Sequence, residues 1–145
     1  HLQTNKAEKA VKYFDYIHSV DSLKLAKIIS ETACQLNKRE RILLQVNLAN
    51  EEQKFGYTKE GLKKDFGEIA KMSGLYIVGL MCMAPFNASD EELRALFSQM
   101  REFKTELEGE FNIVLPELSM GMSNDYEIAV SEGATMIRIG GKLFK

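Results

Sequence analysis

The chain has 145 residues, of which 45% are hydrophobic and 28% charged, which is typical of one folded domain and argues against disorder. A net charge of −2 gives no electrostatic reason to bind nucleic acid or an anionic membrane, and no apolar run approaches the roughly 20 residues of a membrane helix. The two cysteines are too few for a disulfide framework or a cysteine-based zinc site, and they favour the reducing cytoplasm.

The predicted elements alternate between the helical and the strand period along the chain. The first is a helix over 4–13. The predicted strands cover 16–20, 42–48, 76–83, 115–120 and 136–139. The helices that follow successive strands are predicted to begin at capping side chains, which are Asp21, Thr58, Ser89 (with Glu92 completing a capping box) and Ser123.

This alternation predicts an α/β fold with right-handed crossovers and a parallel sheet. Units of about 30 residues suit either a doubly wound sheet or a (β/α)8 barrel. Gln45 and Asn47 alternate within an apolar strand, as if they faced a polar barrel mouth, and therefore favour the barrel. A complete barrel takes roughly 250 residues. The five predicted strands thus indicate a partial (β/α)8 TIM-type barrel, with residues 1–145 as its single domain.

Small polar residues and glycines follow the last two predicted strands. The first segment is 119–125, which includes Ser119, Gly121 and Ser123, and the second is 138–141, which ends in Gly140-Gly141. Glycine lets a ligand approach the backbone, and the first amides of a helix are unpaired donors, so two such turns on adjacent strands favour a phosphate site. Taken singly, each turn is better explained by helix capping and tight-turn geometry.

Arg138 lies inside the last predicted strand, between two isoleucines. A guanidinium is always charged and is costly to bury without a partner. Two interpretations are open. Arg138 either forms a salt bridge with a carboxylate elsewhere in the fold or points into the barrel mouth and donates to a ligand.

The runs 118–125 and 132–140 closely resemble the pyridoxal phosphate homeostasis proteins, which are relatives of the N-terminal barrel of alanine racemase. The resemblance extends over essentially the whole chain and assigns it to the C-terminal part of such a barrel. Further matching segments occur in the same order, and they are 1–6, 17–21, 45–47, 54–56 and 79–85.

The resemblance implies a cytoplasmic protein of vitamin B6 homeostasis that holds or delivers pyridoxal 5'-phosphate and has no established catalytic activity. Arg138 is expected to face the pyridine nitrogen. Phosphate or sulfate is the expected substitute where the cofactor is absent. The residues expected at the phosphate end are Ser119, Met120, Ser123 and the backbone amides of Gly140 and Gly141.

The family's strands before the equivalent of His1, one of which bears the lysine that binds the cofactor covalently, have no resembling segment in this sequence. Weak, non-covalent binding is therefore expected. Two alternatives stay open: a fragment of a racemase-like pyridoxal phosphate enzyme, and an engineered or proteolytic half-barrel without ligand function.

Five strands cannot close a barrel, so two open sheet edges are expected. We expect these edges to associate with a second copy of the chain or with the missing N-terminal segment. The residues expected to be uncovered are Leu44, Val46, Val78 and Leu80.

Overall fold

A computed structural model describes residues 1–49, 51–52 and 55–144 of the chain. Strands and helices alternate along it, as predicted. The strands are β1 (Tyr16–Val20), β2 (Glu40–Gln45), β3 (Leu75–Met81), β4 (Glu117–Met122) and β5 (Met136–Arg138). The helices are α1 (Ala7–Tyr13), preceded by a 3-10 turn, and then α2 (Leu23–Gln35), α3 (Lys59–Ala70), α4 (Asp90–Phe111) and α5 (Tyr126–Ser131).

The five strands form one parallel sheet in the order β1-β2-β3-β4-β5. Among the described residues β1 and β5 each pair with one neighbour, so the sheet is a curled half-barrel with two open edges. This confirms the predicted partial barrel. Register irregularities interrupt the β1–β2 ladder between Ile17 and Val20 and the β4–β5 ladder between Ser119 and Met122. Irregularities of this kind bend a strand and redirect its side chains.

The hydrophobic core lies between the sheet and the helices. Ile42 and Leu44 of β2 are fully buried there against residues such as Phe66 of α3 and Phe97 of α4. On the opposite face, which we call the inner face, Tyr16, Arg41 and Tyr76 form a register row across β1, β2 and β3. This row is exposed, and the Arg41 guanidinium lies 5.4 Å from the centre of the Tyr16 ring.

The expectation that Leu44, Val46 and Leu80 are uncovered is wrong. They are 0%, 2% and 0% exposed because their side chains point toward the helices, and of the four named residues only Val78 is partly exposed. The alternation of side chains along a strand places one set in the core and leaves the other set on the inner face. None of the helices in the described residues combines the length and apolarity needed to cross a bilayer.

Two of the predicted helix caps are confirmed and two are wrong. The Thr58 side chain accepts from the amide of Gly61, and Ser89 forms the predicted capping box with Glu92. The cap of α2 is Ser22 rather than Asp21, because the Ser22 hydroxyl accepts from the Leu25 amide at 3.1 Å.

The second incorrect cap is Ser123. Helix α5 begins two residues later than predicted, and its N-cap position is Asp125. The Asp125 carboxylate accepts from the Met122 amide at 2.6 Å, which closes the turn after β4. Ser123 therefore lies in a turn, and its hydroxyl has no capping role.

Candidate functional site

A cavity of about 740 Å³ opens at the carboxyl-end edge of the sheet. One wall consists of the turns after β4 and β5, with Met122, Ser123, Arg138 and Gly140. Because β4 and β5 are adjacent and parallel, their carboxyl ends meet at this edge, which is where ligands bind in open and closed α/β sheets. The rest of the lining is mainly apolar and includes Phe55, Met83, Pro85, Phe86 and Leu93.

The end of β4 requires glycine at position 121. Gly121 has a φ of +102°, and a side chain there would place its Cβ 2.7 Å from the Cβ of Ala129 on α5. A left-handed backbone and close packing against α5 both exclude an ordinary L-residue. Gly121 therefore fixes the direction in which the chain leaves β4 toward Ser123.

Ser123 and Gly140 connect the two turns. The amide of Gly140 points at the Ser123 hydroxyl, with a nitrogen–oxygen distance of 3.4 Å, which is long for a hydrogen bond. A Cβ added at Gly140 or Gly141 would meet nothing within 4 Å, so the backbone of both residues borders open space. A hydroxyl and a backbone free of side chains are the groups that a phosphate needs for close approach.

Arg138 lies at the end of β5 and is half-buried. Its guanidinium donates to the Ser119 hydroxyl at 2.6 Å, to the Ser119 carbonyl at 3.2 Å and to the Cys82 carbonyl at 2.9 Å. Burial lowers the pKa of Arg138, yet a guanidinium stays charged at neutral pH. Among the described residues no carboxylate forms a salt bridge with it, so the salt-bridge interpretation is wrong and neutral oxygens hold the charge.

Ser119 also contacts His18, whose Nδ1 lies 2.8 Å from the Ser119 hydroxyl oxygen. Burial, and then the positive charge of Arg138, lower the pKa of His18 below its ordinary value of 6.5, although the Glu117 carboxylate acts in the opposite direction. Burial and Arg138 therefore favour the neutral imidazole at His18. His18 follows Tyr16 at strand spacing, which places both side chains on one face of β1.

The six predicted site residues fall into two groups in the structure. Ser123, Arg138 and Gly140 line the cavity, and Gly141 adjoins it with an exposed backbone. Ser119 and Met120 are 0% exposed and are not among the cavity-lining residues. Met120 belongs to the helix-facing core, and the Ser119 hydroxyl serves Arg138 and His18.

Gln45 and Asn47 support the loop that follows β2. The Gln45 amide donates to the Phe55 carbonyl at 3.1 Å, and the Asn47 amide donates to the Glu51 carbonyl at 3.0 Å. The first contact holds Phe55, which lines the cavity. Gln45, the last residue of β2, and Asn47 beyond it therefore each bond a backbone carbonyl in the described part of the connection to α3.

The other groups that could carry chemistry are the Cys82 thiol, metal-binding side chains and lysines. Burial raises the pKa of the Cys82 thiol to about 12, so it stays protonated and a poor nucleophile. Among the described residues, no group of three or more histidine, cysteine, aspartate or glutamate side chains comes together as a metal site. Lys142 lies 4.8 Å above the Tyr126 ring, and Lys54 is outside the described residues.

Comparisons with known proteins agree with this geometry. The model of the alanine racemase N-terminal domain family matches residues 1–145. The chain is 43% identical over 143 residues to the pyridoxal phosphate homeostasis protein of Synechocystis sp. and 41% identical to that of Aquifex aeolicus. Both matches include 99% of this chain, but they span only 66% and 63% of the length of those relatives.

Solved structures of related proteins match the fold of this chain. PipY of Synechococcus elongatus with pyridoxal phosphate bound matches with a TM-score of 0.94 and 42% identity, over 100% of this chain and 68% of PipY. An alanine racemase from Clostridium difficile matches with a TM-score of 0.79 at 16% identity, over 99% of this chain and 37% of the racemase, which is a likeness of fold alone.

Proposed function

The chain belongs to the alanine racemase N-terminal domain family, and from this membership we propose that it binds pyridoxal phosphate in the cavity at the carboxyl-end edge of its sheet. The observation that carries the proposal is the convergence of Ser123, Gly140 and Arg138 on one cavity. A fold that matches ligand-bound PipY along the whole chain supports it.

The phosphate end of the cofactor is assigned to Ser123 and to the backbone of Gly140 and Gly141. The Ser123 hydroxyl and the Gly140 amide already face each other, and the space beside both glycines is open. Because their bond is long, a phosphate oxygen can replace it with two shorter contacts at little cost. Ser119 and Met120 are not part of this assignment, because Ser119 is buried and Met120 lies in the core.

The ring end is assigned to Arg138. When bound, pyridoxal phosphate supplies an aldehyde that condenses with amines and a ring that withdraws electrons. A charged guanidinium cannot accept a proton, so it leaves the pyridine nitrogen unprotonated and the ring a weaker electron sink than a carboxylate partner does. The residues present therefore fit the cofactor, and they suit holding it better than they suit demanding chemistry.

We further propose that the role of the protein is to hold or deliver the cofactor rather than to turn over a substrate. The names of its relatives as homeostasis proteins support this role. Binding through these residues is expected to be reversible, because no lysine is among the described residues that line the cavity.

The test is a titration of the chain with pyridoxal phosphate, followed by absorbance and by equilibrium dialysis. Saturable binding that inorganic phosphate competes away supports the assignment. Borohydride reduction followed by intact-mass measurement then separates the binding modes. A stable adduct on one lysine contradicts the reversible mode, and no saturable binding at all contradicts the proposed function.

A further inference from the structure

Three side chains from three strands form a continuous polar chain on the inner face of the sheet. Arg138 of β5 donates to the Ser119 hydroxyl of β4 at 2.6 Å, and the same oxygen lies 2.8 Å from Nδ1 of His18 on β1. Ser119 is fully buried, so water does not reach this oxygen from the surface. Of these three side chains, only Arg138 has a part in the contacts assigned above to the cofactor.

The chemistry of the three groups fixes the direction of the protons. Arg138 can only donate, so the Ser119 oxygen accepts from it. Ser119 then has one hydroxyl proton to place, and its acceptor among the described residues is Nδ1 of His18. An orphaned buried donor is costly, so the arrangement selects a neutral His18 that carries its proton on Nε2.

We propose that Ser119 and His18 are positioning residues that orient Arg138 toward the ring end of the cavity, and that cofactor binding is consequently coupled to the protonation of His18. The coupling rests on the proposed function, because it requires that Arg138 contact the cofactor. The hydrogen-bond chain itself does not depend on any ligand.

Protonation of His18 reverses the donor at its contact with Ser119 and leaves the Ser119 hydroxyl proton without this acceptor. An imidazolium donates from Nδ1, so the Ser119 hydroxyl can no longer place its proton there. The new positive charge also faces Arg138, while Glu117 on β4 and the Tyr16 ring 6.3 Å away are the other charged or titratable groups around the imidazole. Glu117 favours the imidazolium and Arg138 opposes it. The guanidinium is then repelled by the imidazolium, and its orientation rests mainly on the bonds to the carbonyls of Ser119 and Cys82.

Nitrogen-15 NMR of the histidine rings tests the Arg138–Ser119–His18 hydrogen bonds without cofactor. The protein has two histidines, so a His1→Asn variant assigns the remaining signals to His18. Near pH 8 we expect an unprotonated Nδ1 and a protonated Nε2, with titration below 6.5. A His18 ring that carries its proton on Nδ1 at that pH overturns the inference.

The affinity for pyridoxal phosphate near pH 8 and near pH 5.5 tests the coupling. The cofactor's own groups titrate in this range, so the wild-type chain is compared with His18→Asn, whose side-chain oxygen still accepts from Ser119 but does not titrate. We expect the fall in affinity at low pH to be roughly fivefold larger in the wild type. An equal fall in both overturns the coupling.

Failure of the proposed function gives a different pattern. In that case the wild type binds no pyridoxal phosphate at either pH, and the His18 tautomer alone then decides whether the hydrogen-bond chain exists. The Ser119→Ala variant provides the second structural readout. It removes the bridge, so the guanidinium protons of Arg138 are expected to exchange faster with water, and unchanged exchange counts against positioning by Ser119.

Discussion

The Nδ1 atom of His18 on β1 lies 2.8 Å from the hydroxyl oxygen of Ser119 on β4, although two strands separate them. Neighbouring strands are 4.7–4.9 Å apart, so a flat sheet would hold the two backbones about 14 Å from each other. The contact therefore depends on the curl of the half-barrel. It joins the open edge at β1 to the strands that form the cavity wall.

The first prediction concerns pH and His18. Its pKa is lowered, so between that lowered pKa and 6.5 the unfolded chain binds more protons than the folded chain. The free energy of unfolding is therefore expected to rise with pH across this window. Above pH 6.5, His18 is expected to cause no further change. Denaturant unfolding near pH 7.5 and near pH 5.5 measures the difference.

The matched variant for this measurement is His18→Asn, which keeps a hydrogen-bond acceptor without a titrating ring. Its loss of stability on acidification is expected to be smaller than that of the wild type. If the two proteins lose the same free energy, the pH dependence comes from other groups and His18 has no part in it.

The second prediction concerns Gly121. A Gly121→Ala substitution is expected to lower the free energy of unfolding by about 1–3 kcal/mol, because alanine is strained at positive φ and its Cβ meets Ala129 at 2.7 Å. Gly109 in α4 is the matched control, since a Cβ there meets nothing within 4 Å. Gly109→Ala is expected to stabilise by about 0.5–1 kcal/mol. Chemical denaturation of both variants decides, and equal effects would contradict the turn geometry.

The third prediction concerns Ser123. If its hydroxyl contacts the phosphate, Ser123→Ala is expected to weaken the binding of pyridoxal phosphate by roughly two- to tenfold, the value of one hydrogen bond. Stability is expected to change little, since the hydroxyl makes one long bond to Gly140. The control is Ser131→Ala at the far end of α5, where the exposed hydroxyl donates to Ile128. Dialysis measurements that give equal affinities for the two variants would remove Ser123 from the site.

The fourth prediction concerns Arg138. Arg138→Leu leaves the buried carbonyl of Cys82 and both oxygens of Ser119 without this donor, so we expect a loss of about 1–3 kcal/mol in the free energy of unfolding. We also expect weaker cofactor binding. Thermal melts with and without pyridoxal phosphate separate the two effects. A variant that melts lower but keeps the wild-type shift on adding cofactor restricts Arg138 to a structural role.

Much of the fold could be predicted from the sequence because its signals are local. The strand predicted over 16–20 matches β1, and the caps at Thr58 and Ser89 use side chains three residues from their targets. The two incorrect N-cap predictions arise because a neighbouring side chain forms the hydrogen bond instead. Ser22 lies next to Asp21 and takes the α2 cap, while Asp125 closes the turn that displaces Ser123.

The inner part of the site could not be predicted in the same way. Ser119 and Ser123 are four residues apart in one motif, yet a register irregularity and the positive φ of Gly121 point them to different places. The partner of Ser119 is 101 residues away along the chain. Local periodicity carries no information about the sheet curvature that brings His18 to it.

The last prediction concerns the open edges of the sheet. In the described residues β1 pairs only with β2 and β5 only with β4, so each edge presents unpaired backbone groups. Next to the β1 edge, Tyr13, Phe14 and Tyr16 are 68%, 62% and 38% exposed. We expect the 145-residue chain to associate, with a mass in light scattering above its own 16.4 kDa. Tyr16→Lys is expected to reduce this association, because a charge on an edge strand disfavours pairing. A stable 16.4 kDa monomer of the unaltered chain would contradict the prediction, since the edges would then be tolerated in water.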